Sequence, residues 1–407
     1  MQFIRRSVTV SLALLVAACT SAPPVKPPLV MPPPVQPKPA EPVVVQPPPP
    51  PPPTPLFTPG SYADLPGWQQ DNLREAWPAF MASCSVLVRK ADWAEPCTAA
   101  KAVDPADEAG IRGYFEANFV PNRVRAPDGA DTGLITGYYE AMLHGQRKRG
   151  GKYQTPLYRV PDDLITVDLA SVYPQLKNMR LRGRLVGKKL VPYSTREQIE
   201  RSGFTGKELL WVDDPVEAFF LEVQGSGRVQ LDDTGETVRV GYADQNGYPY
   251  KAIGRWLVDQ GEVPASQMSA QAIRAWIVAH PERRQELFNA NPSYIFFKEE
   301  KIPDPSVGPK GSLGVPLTPA RSVAIDTSLL PPGAPLFLST TLPASAEPLQ
   351  RLVMGQDTGG AIRGAVRADF FFGFGPQAAE NAGLMKQTGA LWVLLPKALT
   401  VATSARR

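Results

Sequence analysis

The sequence predicts a mainly β protein of barrel-type architecture, preceded by helices. After residue 130, short runs of β-branched and aromatic residues are divided by Gly, Pro, Asn and Asp, which is typical of short strands joined by turns. Residues 61–120 instead repeat apolar side chains at steps of three and four, which is typical of helices. Because the strands are many and short, the pattern favours barrels over a doubly wound sheet.

The helical region contains two sets of apolar residues at helical spacing. They are Leu73, Trp77, Phe80, Met81, Cys84 and Leu87, followed by Ile111, Tyr114, Phe115 and Phe119. Pro78 lies inside the first set, and because proline removes a helix hydrogen bond, we expect it to kink or restart that helix. Two later stretches, "YKAIGRWLVDQ" and "SAQAIRAWIVAH", also predict helices, and Pro281 is expected to end the second.

The expected strands are rich in β-branched or aromatic residues. In chain order they lie in "TGLITGYYEAML", "TPLYRV", "FFLEVQGSGRVQLDDTGETVRVGYA", "RSVAID", "APLFLSTTL", "LQRLVMGQ", "ADFFFGFG" and "GALWVLL". Within the third, Asp233 lies between two alternating runs, so a hairpin turn is expected there, with Gly235 at positive φ. Glu222 and Gln224, in "FFLEVQ", are expected to alternate along a strand.

The N-terminus has the features of a secretory signal. Arg5 and Arg6 precede an apolar run, Ser7 to Ala18, that is too short to span a membrane. The run ends at "LVAAC", which resembles the lipobox of bacterial lipoproteins and implies cleavage after residue 18 and lipid attachment to Cys19. The alternative is an ordinary signal with an incidental Cys19. Thr20 stands where an aspartate would resemble an inner-membrane retention signal, so the outer membrane is expected.

Residues 19–59 predict a linker that carries much of the chain's total of 46 prolines. Such a segment adopts an extended polyproline II conformation of about 3.1 Å per residue and does not pack into a core. We interpret it as a spacer that holds the folded region away from the lipid. An SH3-type ligand is the alternative, which an extracytoplasmic compartment disfavours.

The composition excludes several kinds of site. The net charge is +4, from 43 Lys and Arg against 39 Asp and Glu, which is too small to indicate nucleic-acid binding. His144 and His280 are the only histidines, so carboxylates are expected to perform any acid-base chemistry, and no metal or cofactor is expected. Cys84 and Cys97 are expected to form a disulfide in an oxidising compartment, with two buried free thiols as the alternative.

The tripeptide Asp-Thr-Gly, which presents the catalytic carboxylate of aspartic proteases, occurs at Asp131, Asp233 and Asp357. The first copy lies in a loop of turn formers and the second in the expected hairpin turn, so both are expected to be structural. Only the third follows an apolar strand, "RLVM". A pepsin-like protease needs two equivalent buried copies, so this class of enzyme is disfavoured.

Three aspartates, Asp326, Asp357 and Asp369, are each expected to close a β run. The alternative for Asp326 and Asp357 is a structural role, in which each side chain bonds to the backbone of its own turn. Asp369 lies among phenylalanines in "RADFFFGFG", and apolar surroundings raise the pKa of a carboxyl group, as a general acid requires. Arg367, two residues earlier on the same strand face, lowers that pKa. Arg367 therefore either reaches an anionic substrate group, or it makes Asp369 less suited to act as a general acid than the phenylalanines suggest.

The segments "GVPLTPARSVAIDTSLLPPGAPLF", "MGQDTGGAIRGAVRADFFFGFG" and "GALWVLLP" resemble the three-aspartate domain of the membrane-bound lytic murein transglycosylase A family. The upstream segments "TGYYEA", "FFLEVQGSG", "YADQNGYPY" and "NPSYIFFK" resemble the rest of that family's pattern in the same order. The resemblance implies a double-psi β-barrel domain interrupted by a second β-barrel domain, with a groove between them. The implied segments are a signal at 1–18, the lipidated linker at 19–59, the first barrel at 60–159 and 294–400, and the inserted barrel at 160–293.

The resemblance also implies a peptidoglycan lytic exotransglycosylase that acts in cell-wall turnover. Asp369 matches the family's catalytic aspartate, and Asp326 and Asp357 match the two that support it. Asp369 would protonate the glycosidic oxygen between N-acetylmuramic acid and N-acetylglucosamine. It would then take the proton of the muramyl 6-hydroxyl as the 1,6-anhydro ring closes. The implied partners are glycan strands and, through the anchor, outer-membrane lipid.

The groove walls are expected to bind sugar through polar and aromatic side chains. The residues expected there are Gln224, Ser226, Tyr138, Tyr139, Tyr242, Tyr248 and, as stated above, Arg367. The alternative for any one tyrosine is core packing. Two alternative functions remain: a hydrolase that pairs Asp369 with Asp357 or Glu222, and a non-catalytic glycan-binding protein of the expansin-like type.

Overall fold

The computed structural model describes residues 56–176, 179–302 and 304–399, so the expected signal, Cys19 and most of the proline-rich linker lie outside the described residues. The helices in this part of the chain are α1 (Leu73–Leu87), α2 (Ala91–Ala99), α3 (Glu108–Asn118), α4 (Arg196–Ser202), α5 (Pro215–Gln224), α6 (Ile253–Asp259), α7 (Ala270–Ala279), α8 (Arg284–Asn289) and α9 (Pro376–Leu384). Across the described ranges, no helix combines the length and the apolar character needed to cross a bilayer.

The strands confirm most of the predicted β runs. They are β1 (Phe57–Pro59), β2 (Phe119–Val124), β3 (Gly133–Gln146), β4 (Thr155–Tyr158), β5 (Ile165–Thr166), β6 (Arg182–Val186), β7 (Lys189–Pro192), β8 (Glu208–Val212), β9 (Ser226–Leu231), β10 (Thr237–Gln245), β11 (Ile295–Glu300), β12 (Ser322–Ile325), β13 (Pro335–Thr341), β14 (Pro348–Asp357), β15 (Ala368–Phe374) and β16 (Lys386–Pro396). β1, which pairs with β2, lies in the region predicted as linker, so the ordered fold begins slightly earlier than expected.

Six strands close a ring by successive pairing. β3 pairs with β15, β15 with β12, β12 with β14, β14 with β13, β13 with β16, and β16 again with β3. Strands of this ring share one large apolar core with α1, α2 and α3. The predicted combination of N-terminal helices with a large sheet of many strands is therefore confirmed.

A second sheet grows from the far half of β3. Its strand order is β4, β8, β3, β9, β10, β11, and it has its own apolar core. β3 therefore belongs to both sheets: residues 133–140 pair within the ring, and residues 141–146 pair within the second sheet. Helices α5 to α8 share a further apolar cluster, and α5 also packs against β3 and β9 of the second sheet.

The local predictions had mixed outcomes. The stretch "FFLEVQ" lies in α5 and not in a strand: Asp214 caps the helix by accepting from the amides of Val216 and Glu217, Pro215 occupies its first turn, and Gly225 ends it at φ 82°. α1 continues through Pro78 without restarting. The predicted hairpin at Asp233 is confirmed, with Gly235 at φ 73° between β9 and β10.

Cys84 of α1 and Cys97 of α2 form a disulfide within the apolar core, with their Cα atoms 5.2 Å apart and a sequence separation of 13. The double substitution C84S/C97S is expected to lower the free energy of unfolding by about 3 kcal/mol, because the unfolded chain no longer carries this closed loop. Urea unfolding checks the value. A reductant should destabilise the wild type and leave the double variant unchanged, whereas equal midpoints for the two proteins would contradict the prediction.

Candidate active site

Asp357, Asp369 and Thr136 lie in one row across adjacent strands of the ring. In the strand register, Ala324 of β12 is opposite Asp357 on one side and Asp369 on the other, and Asp369 is opposite Thr136 of β3. Two strand spacings separate the two aspartates, which corresponds to about 10 Å between their Cα atoms. Tyr138, two residues beyond Thr136 and thus on the same face, reaches Asp357 with its hydroxyl.

This row forms part of the wall of a groove. Two adjoining cavities, of about 400 and 300 Å³, are both lined by Asp369, Tyr138, Glu222 and Gln224. A third cavity, of about 290 Å³, continues past Thr136 and shares Gln224 with the first two. The three cavities therefore adjoin along the row, and Asp369 lines two of them.

Asp369 is half-buried, and burial is the main cause that raises the pKa of its carboxyl group. The neighbouring charge of Asp357 also raises this pKa, whereas the Thr136 hydroxyl, which donates to Asp369 Oδ1, and the Arg367 cation lower it. Asp369 is the second residue of β15, so the prediction that it closes a strand was wrong. Its carboxyl group is nevertheless poised as the sequence suggested, with a pKa above the ordinary value.

The apolar surroundings of Asp369 come only partly from the adjacent phenylalanines. Phe371 faces the same side of the sheet and packs in a small cluster with Tyr138, Leu317, Ala324 and Ile362. Phe370 instead belongs to the core of the ring, and Phe374 is exposed beneath Arg228. The apolar cluster on this side of the sheet therefore draws its residues from five separate segments of the chain.

Arg367 lies beside Asp369 without a direct ion pair among the described residues. Its Nη2 donates to Thr136 Oγ1 at 2.9 Å, and its Nη1 donates to the carbonyl of Ala368 at 2.6 Å. The guanidinium also lines the second cavity. Thr136 therefore stands between the cation and the carboxyl group.

Asp357 ends β14 and lines the first cavity. Its Oδ1 accepts from the Ser312 amide at 2.9 Å and its Oδ2 accepts from the Tyr138 hydroxyl at 3.1 Å. Burial, the largest influence, raises the pKa of this carboxyl group despite these bonds. Both oxygens are thus engaged by the protein.

Asp326 follows β12 and lies away from the three cavities that line the groove. Its carboxylate accepts from the Ser328 hydroxyl at 2.6 Å and from the Gly364 amide at 2.9 Å. Burial raises its pKa, but these bonds and the nearby Arg363 outweigh burial and hold the pKa below the ordinary value. Asp326 therefore fixes the loop between β14 and β15, whose residues Gly359 and Gly360 line the groove.

Gln224 and Ser226 lie at the point where α5 passes into β9, and both line the first cavity. Gln224 accepts from the Tyr139 amide through Oε1 at 3.1 Å, which orients its side chain toward all three cavities. Gly137, two residues before Tyr139, leaves room for the Phe372 ring, because a Cβ atom there would lie 2.5 Å from that ring.

The four predicted tyrosines are placed differently. Tyr138 and Tyr242 line the first cavity, and Tyr242 is 38% exposed. Tyr139 lines the third cavity and packs largely into the core of the second sheet. Tyr248 donates to the carbonyl of Tyr193 at 3.1 Å and lines none of these three cavities, so its contact with sugar stays a prediction.

Glu222 lies on α5 and is bound by a buried arginine. Arg196 donates to its two oxygens at 3.0 and 2.7 Å, and the Ile295 amide donates to Oε2 at 2.9 Å. Burial raises the pKa of Glu222, and Arg196 opposes this effect. Although Glu222 borders the groove, both of its oxygens are occupied by structural bonds.

Sequence analysis missed Thr136, Ser312, Arg180 and Tyr250 as residues of the site. Thr136 lies in "TGYYEA", a segment that carried the family resemblance, but nothing in the sequence indicates its contact with a residue 233 positions away. Ser312 contributes a backbone amide, which has no side-chain signal. Arg180 and Tyr250 line the second cavity. Within the described ranges, no cluster of three or more His, Cys, Asp or Glu side chains is arranged to hold a metal ion.

Two family models match the chain: the MltA specific insert domain at residues 134–298 and the 3D domain at residues 321–395. Membrane-bound lytic murein transglycosylase A of Escherichia coli K12 is 34% identical over 261 residues, which cover 62% of this chain and 63% of that protein, so this alignment spans less than two thirds of the relative.

Three solved structures are similar over nearly their whole length. A lytic transglycosylase, LtgG, of Burkholderia pseudomallei is 46% identical, covers 84% of this chain and 96% of that chain, and has a TM-score of 0.57. MltA from Neisseria gonorrhoeae is 37% identical, covers 84% and 92%, and has a TM-score of 0.72. A membrane-bound lytic murein transglycosylase from Agrobacterium tumefaciens is 29% identical, covers 86% and 99%, and has a TM-score of 0.75. The chain belongs to the membrane-bound lytic murein transglycosylase A family.

Proposed function

We propose that this protein is a lytic transglycosylase that cleaves the β-1,4 bond between N-acetylmuramic acid and N-acetylglucosamine of peptidoglycan and forms 1,6-anhydromuramic acid. The observation that carries the proposal is Asp369, a half-buried carboxyl group of raised pKa inside a long groove. Named relatives support the substrate class, and E. coli MltA, 26% identical over 84% of this chain and 94% of that one with a TM-score of 0.63, has been solved with bound chitohexaose.

The carboxylates of the groove favour a single acid over a hydrolytic pair. A hydrolase generally uses one carboxyl group as the acid and a second, free carboxylate to activate water or to attack carbon. Glu222 is bound by Arg196, Asp357 accepts bonds at both oxygens, and Glu300 pairs with Lys298 at 3.0 Å. Asp369 is therefore the carboxyl group best placed for proton transfer.

The reaction needs one proton carrier that serves twice. Protonated Asp369 donates to the glycosidic oxygen as the bond to the muramyl C1 breaks, and the N-acetylglucosamine leaves with that proton. The resulting carboxylate then accepts the proton of the muramyl 6-hydroxyl, whose oxygen bonds to C1. No water is consumed, and Asp369 regains its proton.

Other groove residues have supporting roles in this proposal. Asp357 contributes a neighbouring charge and fixes Tyr138. Asp326 holds the glycine loop that borders the glycan. Gln224 and Ser226 bond sugar hydroxyl and acetamide groups. Aromatic contacts with the sugar rings come from Tyr138, Tyr139 and Tyr242.

The domain organisation and the location extend the same proposal. We interpret the closed ring as the double-psi β-barrel of the domain formed by 60–159 and 294–400. The inserted β-barrel domain at 160–293 contributes β8, β9 and β10 to the second sheet, and the first domain contributes β4, β11 and the far half of β3. The groove between them holds the glycan. Residues 1–18 act as a signal, and lipid on Cys19 with the linker at 19–59 anchors the enzyme to the periplasmic face of the outer membrane, where it serves cell-wall turnover. Relatives named membrane-bound support this location.

Digestion of purified sacculi tests the proposed reaction. Mass spectrometry should find soluble muropeptides that end in 1,6-anhydromuramic acid, each one water lighter than its hydrolytic counterpart. Reducing muramic ends would identify a hydrolase. Retention of the protein on sacculi with no soluble product would identify a non-catalytic glycan-binding protein. Either result would overturn the proposal.

A further inference from the structure

A hydrogen-bond chain runs from Arg367 through Thr136 to Asp369, and the proposed reaction leaves its purpose unassigned. We propose that Arg367 is a positioning residue that orients the Thr136 hydroxyl and thereby fixes Oδ2 of Asp369 as the oxygen that exchanges the proton. This inference rests on the function proposed above, and it adds a role for two residues outside the three aspartates.

The guanidinium of Arg367 is held in place across two strands. Its Nη1 donates to the carbonyl of Ala368 at 2.6 Å and to the carbonyl of Leu134, on β3, at 3.3 Å. Its Nη2 is thereby aimed at Thr136 Oγ1, at 2.9 Å. A lysine, with one nitrogen, cannot reproduce this fork of donors.

The direction of each hydrogen bond follows from chemistry. A guanidinium has donors only, so the oxygen of Thr136 must accept from Arg367. The single hydroxyl hydrogen of Thr136 is then free to donate to Asp369 Oδ1. Oδ1 acts as an acceptor whether Asp369 is protonated or ionised, and the acidic proton is left on Oδ2.

This arrangement suits a carboxyl group that acts first as acid and then as base. In the first step, the Oδ2–H bond breaks as the proton passes to the glycosidic oxygen. In the second, Oδ2 accepts the proton of the 6-hydroxyl. Because Thr136 holds Oδ1 throughout, the carboxyl group need not rotate between the steps. A direct ion pair with Arg367 would instead hold Asp369 ionised before the first step.

Other charged groups also face Asp369 and must be considered in any test by pH. Asp357 on β14 and Tyr138 on β3 are the nearest titratable neighbours in the wall that carries Asp369. β12 contributes no titratable side chain. Helix α9 packs on β15 and β3, and its Glu380 is exposed. The remaining charged residues that line the two cavities are Arg180, Arg196, Glu222, Arg239, Lys298, Glu300 and Lys310.

Kinetics of Thr136→Val, Thr136→Ser and Arg367→Met test the proposal on sacculi. Loss of one charge-assisted hydrogen bond is expected to lower kcat by about 10- to 100-fold in Thr136→Val, with KM little changed, and serine should restore kcat to within a few-fold. Arg367→Met should behave like Thr136→Val. Arg255→Met, at an exposed ion pair of α6, is the matched control and should match the wild type.

The pH profile separates positioning from a merely structural role. Thr136 and Arg367 lower the pKa of Asp369, so their removal should move the alkaline limb of kcat/KM to higher pH. Asp357 raises that pKa, so Asp357→Asn should move the limb to lower pH. An Arg367→Met variant with raised KM and unchanged kcat and profile would identify Arg367 as a substrate contact and overturn the proposal.

A titration without substrate makes the test independent of the reaction. ¹³C NMR of the Asp369 carboxyl group should show a higher pKa in Arg367→Met than in the wild type, and an equal pKa in the two proteins would overturn the proposal. If the titration shifts as expected while sacculi yield no anhydro products, the proposed function fails and only the influence of Arg367 on the Asp369 carboxyl group stands.

Discussion

Asp369→Asn is expected to lower the rate of anhydromuropeptide release by about a thousandfold or more, because in the proposed reaction the same carboxyl group supplies both proton transfers. Asparagine keeps the shape of the side chain and can still accept from Thr136, so the chemistry is removed with little change in packing. The initial rate of soluble product release from sacculi measures the effect.

The matched control is Asp233→Asn. Asp233 begins the same tripeptide as Asp357, but it lies exposed in the hairpin turn and accepts from the Arg147 amide. This variant should retain wild-type activity. A fully active Asp369→Asn would remove Asp369 from the mechanism and with it the proposal of a single acid and base.

The stability of Asp369→Asn provides a second readout with a defined sign. A carboxyl group whose folded pKa lies above its unfolded pKa contributes stability that is present below the unfolded pKa and is lost as pH rises through the folded pKa. Burial raises the pKa of Asp369, so at a pH above its folded pKa the ionised wild-type side chain destabilises the fold. Asp369→Asn should therefore be at least as stable as the wild type at neutral pH, which a thermal melt measures.

The pattern of the sequence predicted the architecture better than the site. Alternating runs identified the strands of the ring because their apolar residues face a large core, and helical spacing identified α1 and α3 for the same reason. The site depends instead on register. Thr136 meets Asp369 because β3 and β15 pair in parallel, and a contact between residues so far apart in the chain leaves no local signal.

The error at "FFLEVQ" has a different cause. Its aromatic and β-branched residues favoured a strand, yet Asp214 followed by Pro215 is the start signal of a helix, and Gly225 is its stop signal. Capping was more informative here than composition. The correction changes the chemistry as well, because a helical Glu222 points at Arg196 and is removed from the set of candidate acids.

Glu140→Gln is expected to lower the free energy of unfolding by about 3–5 kcal/mol, the usual effect of breaking a buried ion pair. Glu140 lies where β3 passes from the ring into the second sheet, and its side chain is fully buried, with 0% exposure. Arg228 Nε and Arg239 Nε contact its two oxygens at 2.9 and 2.5 Å. A neutral amide would leave two buried guanidinium groups without a counterion.

The same arginines extend this effect to the active site. Arg228 donates to the carbonyl of Pro305 at 2.7 Å and Arg239 donates to the carbonyl of Val307 at 2.7 Å, which fixes the segment leading to Ser312. The Ser312 amide in turn holds Asp357. Disturbing Glu140 is therefore expected to loosen a wall of the groove as well as the junction between the sheets.

Urea unfolding of Glu140→Gln beside Glu299→Gln measures this expectation. Glu299 also pairs with an arginine, Arg147, at 2.6 Å, but its side chain is 28% exposed, so water compensates for the lost contact and the change should be about 1 kcal/mol or less. Similar losses in the two variants would mean that burial does not set the strength of the Glu140 cluster. A large loss in Glu140→Gln alone would identify this buried charge cluster as the element that joins the two sheets and supports the groove between them.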